Sequence, residues 1–140
     1  MSTAVQSELK EAAVAYRTAP EFPALRNPQF PVHRIAERVE PYLRLIVERF
    51  HPRRIILFGS QVYGQPHRDS DVDILVVRDD IRSENESNKQ ILNAFWDVPG
   101  TQLPMTVLTK TSARIAERLA VKSPFYEEIV GKGLEVYAAP

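Results

Sequence analysis

The chain contains no cysteine. That excludes disulfides, cysteine-based zinc sites and thiol catalysis. No apolar run approaches the roughly 20 residues that span a bilayer. The N-terminus carries Glu8 and Glu11 and lacks the apolar core of a secretory signal. Net charge is absent too, with 18 Lys and Arg against 18 Asp and Glu. A protein that binds a long nucleic acid usually shows a basic excess, so nucleic acid is not an expected partner. Internal repeats and low-complexity tracts are also missing. The expectation is a cytoplasmic protein with no membrane partner.

What is present suits one ordinary domain. The 140 residues are 44% hydrophobic, enough for a real core, and 26% charged, which argues against wholesale disorder. Residues 3 to 18 have a helical stripe of Val5, Leu9, Ala12, Ala13 and Tyr16. Pro20, Pro23, Pro28 and Pro31 then predict an extended connector, held against the body by Phe22, Leu25 and Phe30. The division is an appendage at residues 1–31 and a domain at residues 32–140.

Within that domain Val32, Ile35, Val39, Leu43, Ile46, Val47 and Phe50 keep a helical rhythm. Pro41 either kinks this helix or opens a second one. The β-branched run Ile55-Ile56-Leu57-Phe58 reads as a buried strand. Ser83-Glu84-Asn85-Glu86 matches a capping box, and Ile91, Leu92, Phe95 and Trp96 give the next helix its apolar face. Leu103 to Leu108 is a strand, and Ser112 to Ala120 a short helix. Ser123-Pro124 starts another helix, ended by Gly131 and Gly133. Glu135-Val136-Tyr137 is a short last strand. Interleaved strands and helices predict an α+β (mixed α/β) domain, its sheet centred on residues 54–58, 71–77 and 103–108.

The chemistry concentrates between residues 57 and 77. A strand runs into Gly59-Ser60, where glycine lets the backbone turn and approach a ligand. A helix starting at Ser60 would aim free N–H groups at an anion, and Ser60 adds a hydroxyl donor. Gly64 keeps the next turn free of a side chain. Gly-Ser alone is weak evidence, since many turns contain it. Asp71 and Asp73 then open a second apolar strand, Ile74-Leu75-Val76-Val77. Strand side chains alternate, so the two carboxylates project together. Unpaired they would repel, and Mg²⁺, which takes one or two carboxylates plus phosphate oxygens, would relieve that. A lone Asp-x-Asp is usually a solvated turn, but this one sits on a core strand.

Gly59-Ser60, ten residues, then Asp71-Val72-Asp73 resembles the signature of minimal nucleotidyltransferases. These belong to the DNA polymerase β-like nucleotidyltransferase superfamily. The resemblance covers roughly residues 34 to 137. It implies a nucleotidyltransferase-like palm and a Mg²⁺-dependent enzyme that moves a nucleoside monophosphate, AMP from ATP, to a hydroxyl. It gives Gly59, Ser60 and Gly64 to the triphosphate, and Asp71 and Asp73 to metal and catalysis. Such small proteins are often paired with an all-helical HEPN-type toxin, and act as its antitoxin by adenylylating a tyrosine on it.

The chain departs from that pattern at one position. The family usually has a third acid on the next strand, in a setting like Pro-Val-Asp-Val. Here the stretch is Pro104-Met105-Thr106-Val107, with Thr106 at the acid's place. A hydroxyl is a poor base and a weak metal ligand. Asp79, Asp80, Asp97 or a partner's side chain are the substitutes to test. His33, His51 and His67 lack metal-ligand spacing. His67 and Arg68 in the motif loop, Tyr63 in the turn and Lys89 on the capped helix are secondary phosphate or nucleotide candidates. Arg53, Arg54 and Arg78 read as solvated strand ends.

Two readings from different classes follow: an adenylyltransferase acting on a partner protein, and a catalytically impaired member of the fold that binds nucleotide or pairs with a partner. Intact Asp71 and Asp73 favour the first, Thr106 the second. Transfer to RNA or to a small hydroxylated compound is a third, disfavoured by neutral charge and by the small size of the chain.

Overall fold

A computed structural model describes residues 22–140. The helix expected at residues 3 to 18 lies outside the described residues. The architecture is α+β, as the interleaved pattern predicts. Strands β1 (Arg54–Phe58), β2 (Val72–Val77), β3 (Met105–Lys110) and β4 (Leu134–Ala138) form one sheet in the order β3-β2-β1-β4. β1 runs antiparallel to both β2 and β4, and β2 runs parallel to β3.

Helices cover both faces, which explains why β1 and β2 are almost continuously apolar. On one face, α1 (Ala36–Phe50) and α3 (Glu84–Ala94) pack on Ile55, Leu57, Ile74 and Val76. On the other, Ile115 of α4 (Ser112–Ala120) and Tyr126 and Ile129 of α5 (Pro124–Lys132) meet Ile56, Phe58, Leu75 and Val77. Each fully buried Ile or Leu contributes roughly 1.5–3 kcal/mol of apolar burial. Strand alternation thus supplies two cores from one run of residues.

The proline-rich connector is not simply extended. Pro23–Arg26 and Pro31–Ile35 form 3-10 turns, each opened by its proline. Phe22 and Leu25 are fully buried, and Phe22 packs edge-on against Tyr137 of β4. Because the second turn occupies Pro31–Ile35, α1 starts at Ala36 rather than at Val32, and Pro41 lies inside it.

β3 begins two residues later than the apolar run suggests. The Leu103 amide donates to the Tyr42 hydroxyl at 2.9 Å, so Leu103 is core but not strand. The polar pair Thr109 and Lys110 completes β3 opposite Val76 and Val77. Gly131 stays within α5, and only Gly133 ends it. Trp96 is not part of the core: it is 75% exposed, and Leu92 is also exposed, while Ile91 and Phe95 are buried. Arg78 is not solvated either. It is 9% exposed, donates to Ser87 Oγ at 2.9 Å and lies over the Phe50 ring.

Candidate active site

The site grows from the end of the sheet where β1 stops and β2 starts. Antiparallel pairing sets Phe58 opposite Asp73. The next residue, Gly59, has φ +78° and ψ −159°, a region essentially restricted to glycine. A methyl group at Gly59 would overlap Asp73 Oδ2. The turn therefore lies directly on the carboxylate.

After Gly59 comes one helical turn, α2 (Ser60–Tyr63). The Val62 and Tyr63 amides donate to the Gly59 carbonyl at 3.0 and 3.1 Å. The first amides of a helical turn have no acceptor within it, so those of Ser60 and Gln61 have none inside α2. A side chain at Gly64 would meet Ser60 Cα at 2.7 Å, which explains the second glycine. Gln61, buried, donates its side-chain amide to the Ser70 carbonyl at 3.5 Å. Ser70 Oγ accepts from the His67 amide at 2.8 Å, and His67 Nδ1 from the Asp69 amide at 3.2 Å. His67 thus shapes its own loop. Sequence reasoning missed Gln61 and Ser70, since no spacing signal marks a residue that braces a loop.

Alternation puts Asp71 and Asp73 on the face that carries Leu75 and Val77. Burial raises the Asp73 carboxyl above its ordinary value, and the charge of Asp71 adds to that. The Thr106 hydroxyl offsets part of it. Parallel pairing makes Thr106 the register partner of Asp73. Its hydroxyl also donates to Asp71 Oδ2 across a long 3.4 Å. Thr106 therefore stands beside both carboxylates, where a third acid would complete a cluster. Among the described residues there is no group of three or more His, Cys, Asp or Glu arranged to hold a metal ion.

The donor set still fits a hard divalent cation with an incomplete protein shell. Two carboxylates and a hydroxyl, all oxygen donors, share one face, and their repulsion favours a positive charge. Water and phosphate oxygens would complete the coordination.

The proposed substitutes for the third acid are engaged elsewhere. Asp79 accepts from the Ser112 amide and hydroxyl at 2.7 and 2.9 Å, at the start of α4. It follows the far end of β2, roughly 20 Å from Asp73 at about 3.3 Å per strand residue. Asp80 pairs with Arg78 at 3.6 Å, and Asp97 with Arg49 at 2.6 Å. Of the other candidates, His33 Nδ1 bonds the Phe30 carbonyl, His51 takes a left-handed conformation just after α1, and Arg54 pairs with Glu135. Lys89 is exposed on α3. Tyr63 packs between the two cores.

A family model described as a nucleotidyltransferase domain matches residues 41–130. The chain belongs to this nucleotidyltransferase domain family. The match runs from Pro41 in α1 to Val130 in α5 and includes Gly59, Ser60, Asp71, Asp73 and Thr106. Comparison with curated proteins finds no match. Among the described residues no helix is long and apolar enough to cross a membrane.

Proposed function

We propose that this nucleotidyltransferase-domain protein transfers AMP from ATP to a hydroxyl, with a tyrosine of a HEPN-type toxin as acceptor. One observation carries the reading: a glycine-only turn lies against the inner of two carboxylates that share one strand end. In the reaction the acceptor hydroxyl gives up its proton to water, and its oxygen forms a bond to the α-phosphorus. The bond from that phosphorus to the bridging oxygen breaks, and pyrophosphate leaves. The Ser60 hydroxyl and the amides of the α2 turn hold phosphate oxygens. Asp71 and Asp73 would hold Mg²⁺, which would neutralise phosphate charge and make the acceptor hydroxyl more acidic.

A second reading rests on Thr106. The acceptor's proton finds a hydroxyl on β3 where a carboxylate would serve as base. On this reading the protein binds nucleotide and acts by pairing with its partner.

The test is incubation with labelled ATP, Mg²⁺ and a candidate helical partner. Label on the partner that disappears in Asp71→Ala supports transfer. Absence of label, with partner neutralisation unchanged in Asp71→Ala, selects the second reading. Binding of Mg²⁺, followed as thermal stabilisation that Asp71→Ala abolishes, checks the metal assignment without any turnover.

A further inference from the structure

Helix α5, one of the two that cover the sheet face carrying Asp71 and Asp73, also holds an exposed aromatic ring. Phe125, in the first turn of α5, is 48% exposed. Tyr126 and Ile129 already fill the core beneath that helix. Phe125 is not needed to close that core. Its ring is nevertheless fixed: it meets Phe58 at 5.9 Å and Tyr126 at 5.3 Å between centroids, both at 90°. Edge-to-face contacts of this kind prefer a defined ring orientation.

Phe58 links this ring to the site. It is the cross-strand partner of Asp73 and is followed directly by the Gly59 turn. Directly opposed residues on neighbouring strands share a face, with Cβ atoms about 5 Å apart. Phe125 therefore touches the residue that lies directly across from Asp73 on the same face of the sheet. Trp96 is more exposed, but it follows α3, which packs on the opposite face.

We propose that Phe125 is the platform on which the base of the bound nucleotide stacks. The inference rests on the nucleotide-binding reading above and deepens it. Phosphates lie at the Gly59 turn and the Asp71–Asp73 pair, and the base lies against the exposed Phe125 ring. An aromatic face accepts any base, so the ring contributes affinity while leaving the identity of the base to other groups.

Calorimetric titration of the full chain with Mg–ATP and with Mg–tripolyphosphate tests this. Stacking on an aromatic side chain is lost when the ring is removed, so Phe125→Ala weakens ATP binding about tenfold or more. Tripolyphosphate binding stays unchanged, and Phe125→Tyr restores ATP affinity. Phe125→Leu keeps an apolar contact on Phe58 without a π-face, so it loses ATP affinity even if the alanine variant folds poorly. Equal loss of both ligands in the alanine and leucine variants, or unchanged ATP affinity in either, overturns the proposal. Wild-type protein that binds neither ligand overturns the nucleotide-binding reading as well. Wild-type protein that binds tripolyphosphate as tightly as ATP overturns only the base platform.

Discussion

Gly59 and Asp73 occupy space that only a glycine allows: the backbone of one lies where any side chain would strike the carboxylate of the other. The turn and the acid are therefore one unit, although fourteen positions separate them in the chain. Gly59→Ala should cost on the order of 1–3 kcal/mol through the disfavoured positive φ alone. The added methyl group must also displace Asp73. Urea denaturation should show the stability loss. Mg²⁺ should then stabilise the variant much less than the wild type, which separates damage to the site from general weakening.

The Asp73 carboxyl is raised by burial first, and by the charge of Asp71. The sign for stability follows directly. Below the ordinary value of 3.8 both folded and unfolded chains are protonated, and the shift has no effect. As pH rises above that value the unfolded chain ionises first, so the fold loses stability until Asp73 ionises as well. Asp73→Asn removes this penalty. Without divalent cation the variant should melt above wild type at pH 7. The gap should shrink as the pH falls toward 3.8, and Mg²⁺ should narrow it at pH 7 by stabilising only the wild type.

Sequence pattern revealed the sheet and the Gly59-Ser60 and Asp71-Asp73 positions because each is a local signal. Strand alternation, a glycine after a buried run and two acids one residue apart need no knowledge of distant contacts. The misplaced features depend on such contacts. Leu103 looks like strand, yet the Tyr42 hydroxyl takes its amide. Trp96 looks like core, yet it follows α3 in a 3-10 turn and points to water. Arg78 looks like a solvated end, yet Ser87 and the Phe50 ring enclose it. Phe125 carried no signal at all, because a phenylalanine in an amphipathic helix reads as core until its exposure is seen.

Asn88 has a structural duty that its sequence context hides. Its side-chain amide donates to the Val107 carbonyl, and its oxygen accepts from the Thr109 amide, both at 2.7 Å. One side chain thus imitates a strand along the open edge of β3. Asn88→Ala leaves a part-buried donor and acceptor without partners, a loss of about 1–3 kcal/mol. Denaturation curves should show it. Hydrogen exchange should speed up at the Thr109 amide while amides paired between β1 and β2 stay protected.

Thr106 separates the two functional readings more directly than any other residue. It is the register partner of Asp73 and its hydroxyl reaches Asp71, so an aspartate there would join both carboxylates on one face. Three like charges without a cation repel, so Thr106→Asp should be less stable than wild type in chelator. With a third oxygen ligand, its affinity for Mn²⁺ or Mg²⁺ should rise, by roughly tenfold for each 1.4 kcal/mol gained. Thermal melts over a metal titration give both effects: a lower starting point and a steeper climb. If Thr106 limits turnover, labelled-ATP transfer to the partner should rise by about 10²-fold or more, the scale of a positioned general base. If wild type and Thr106→Asp both bind metal but neither transfers label, the missing carboxylate is not the only defect, and pairing with the partner is the function that survives.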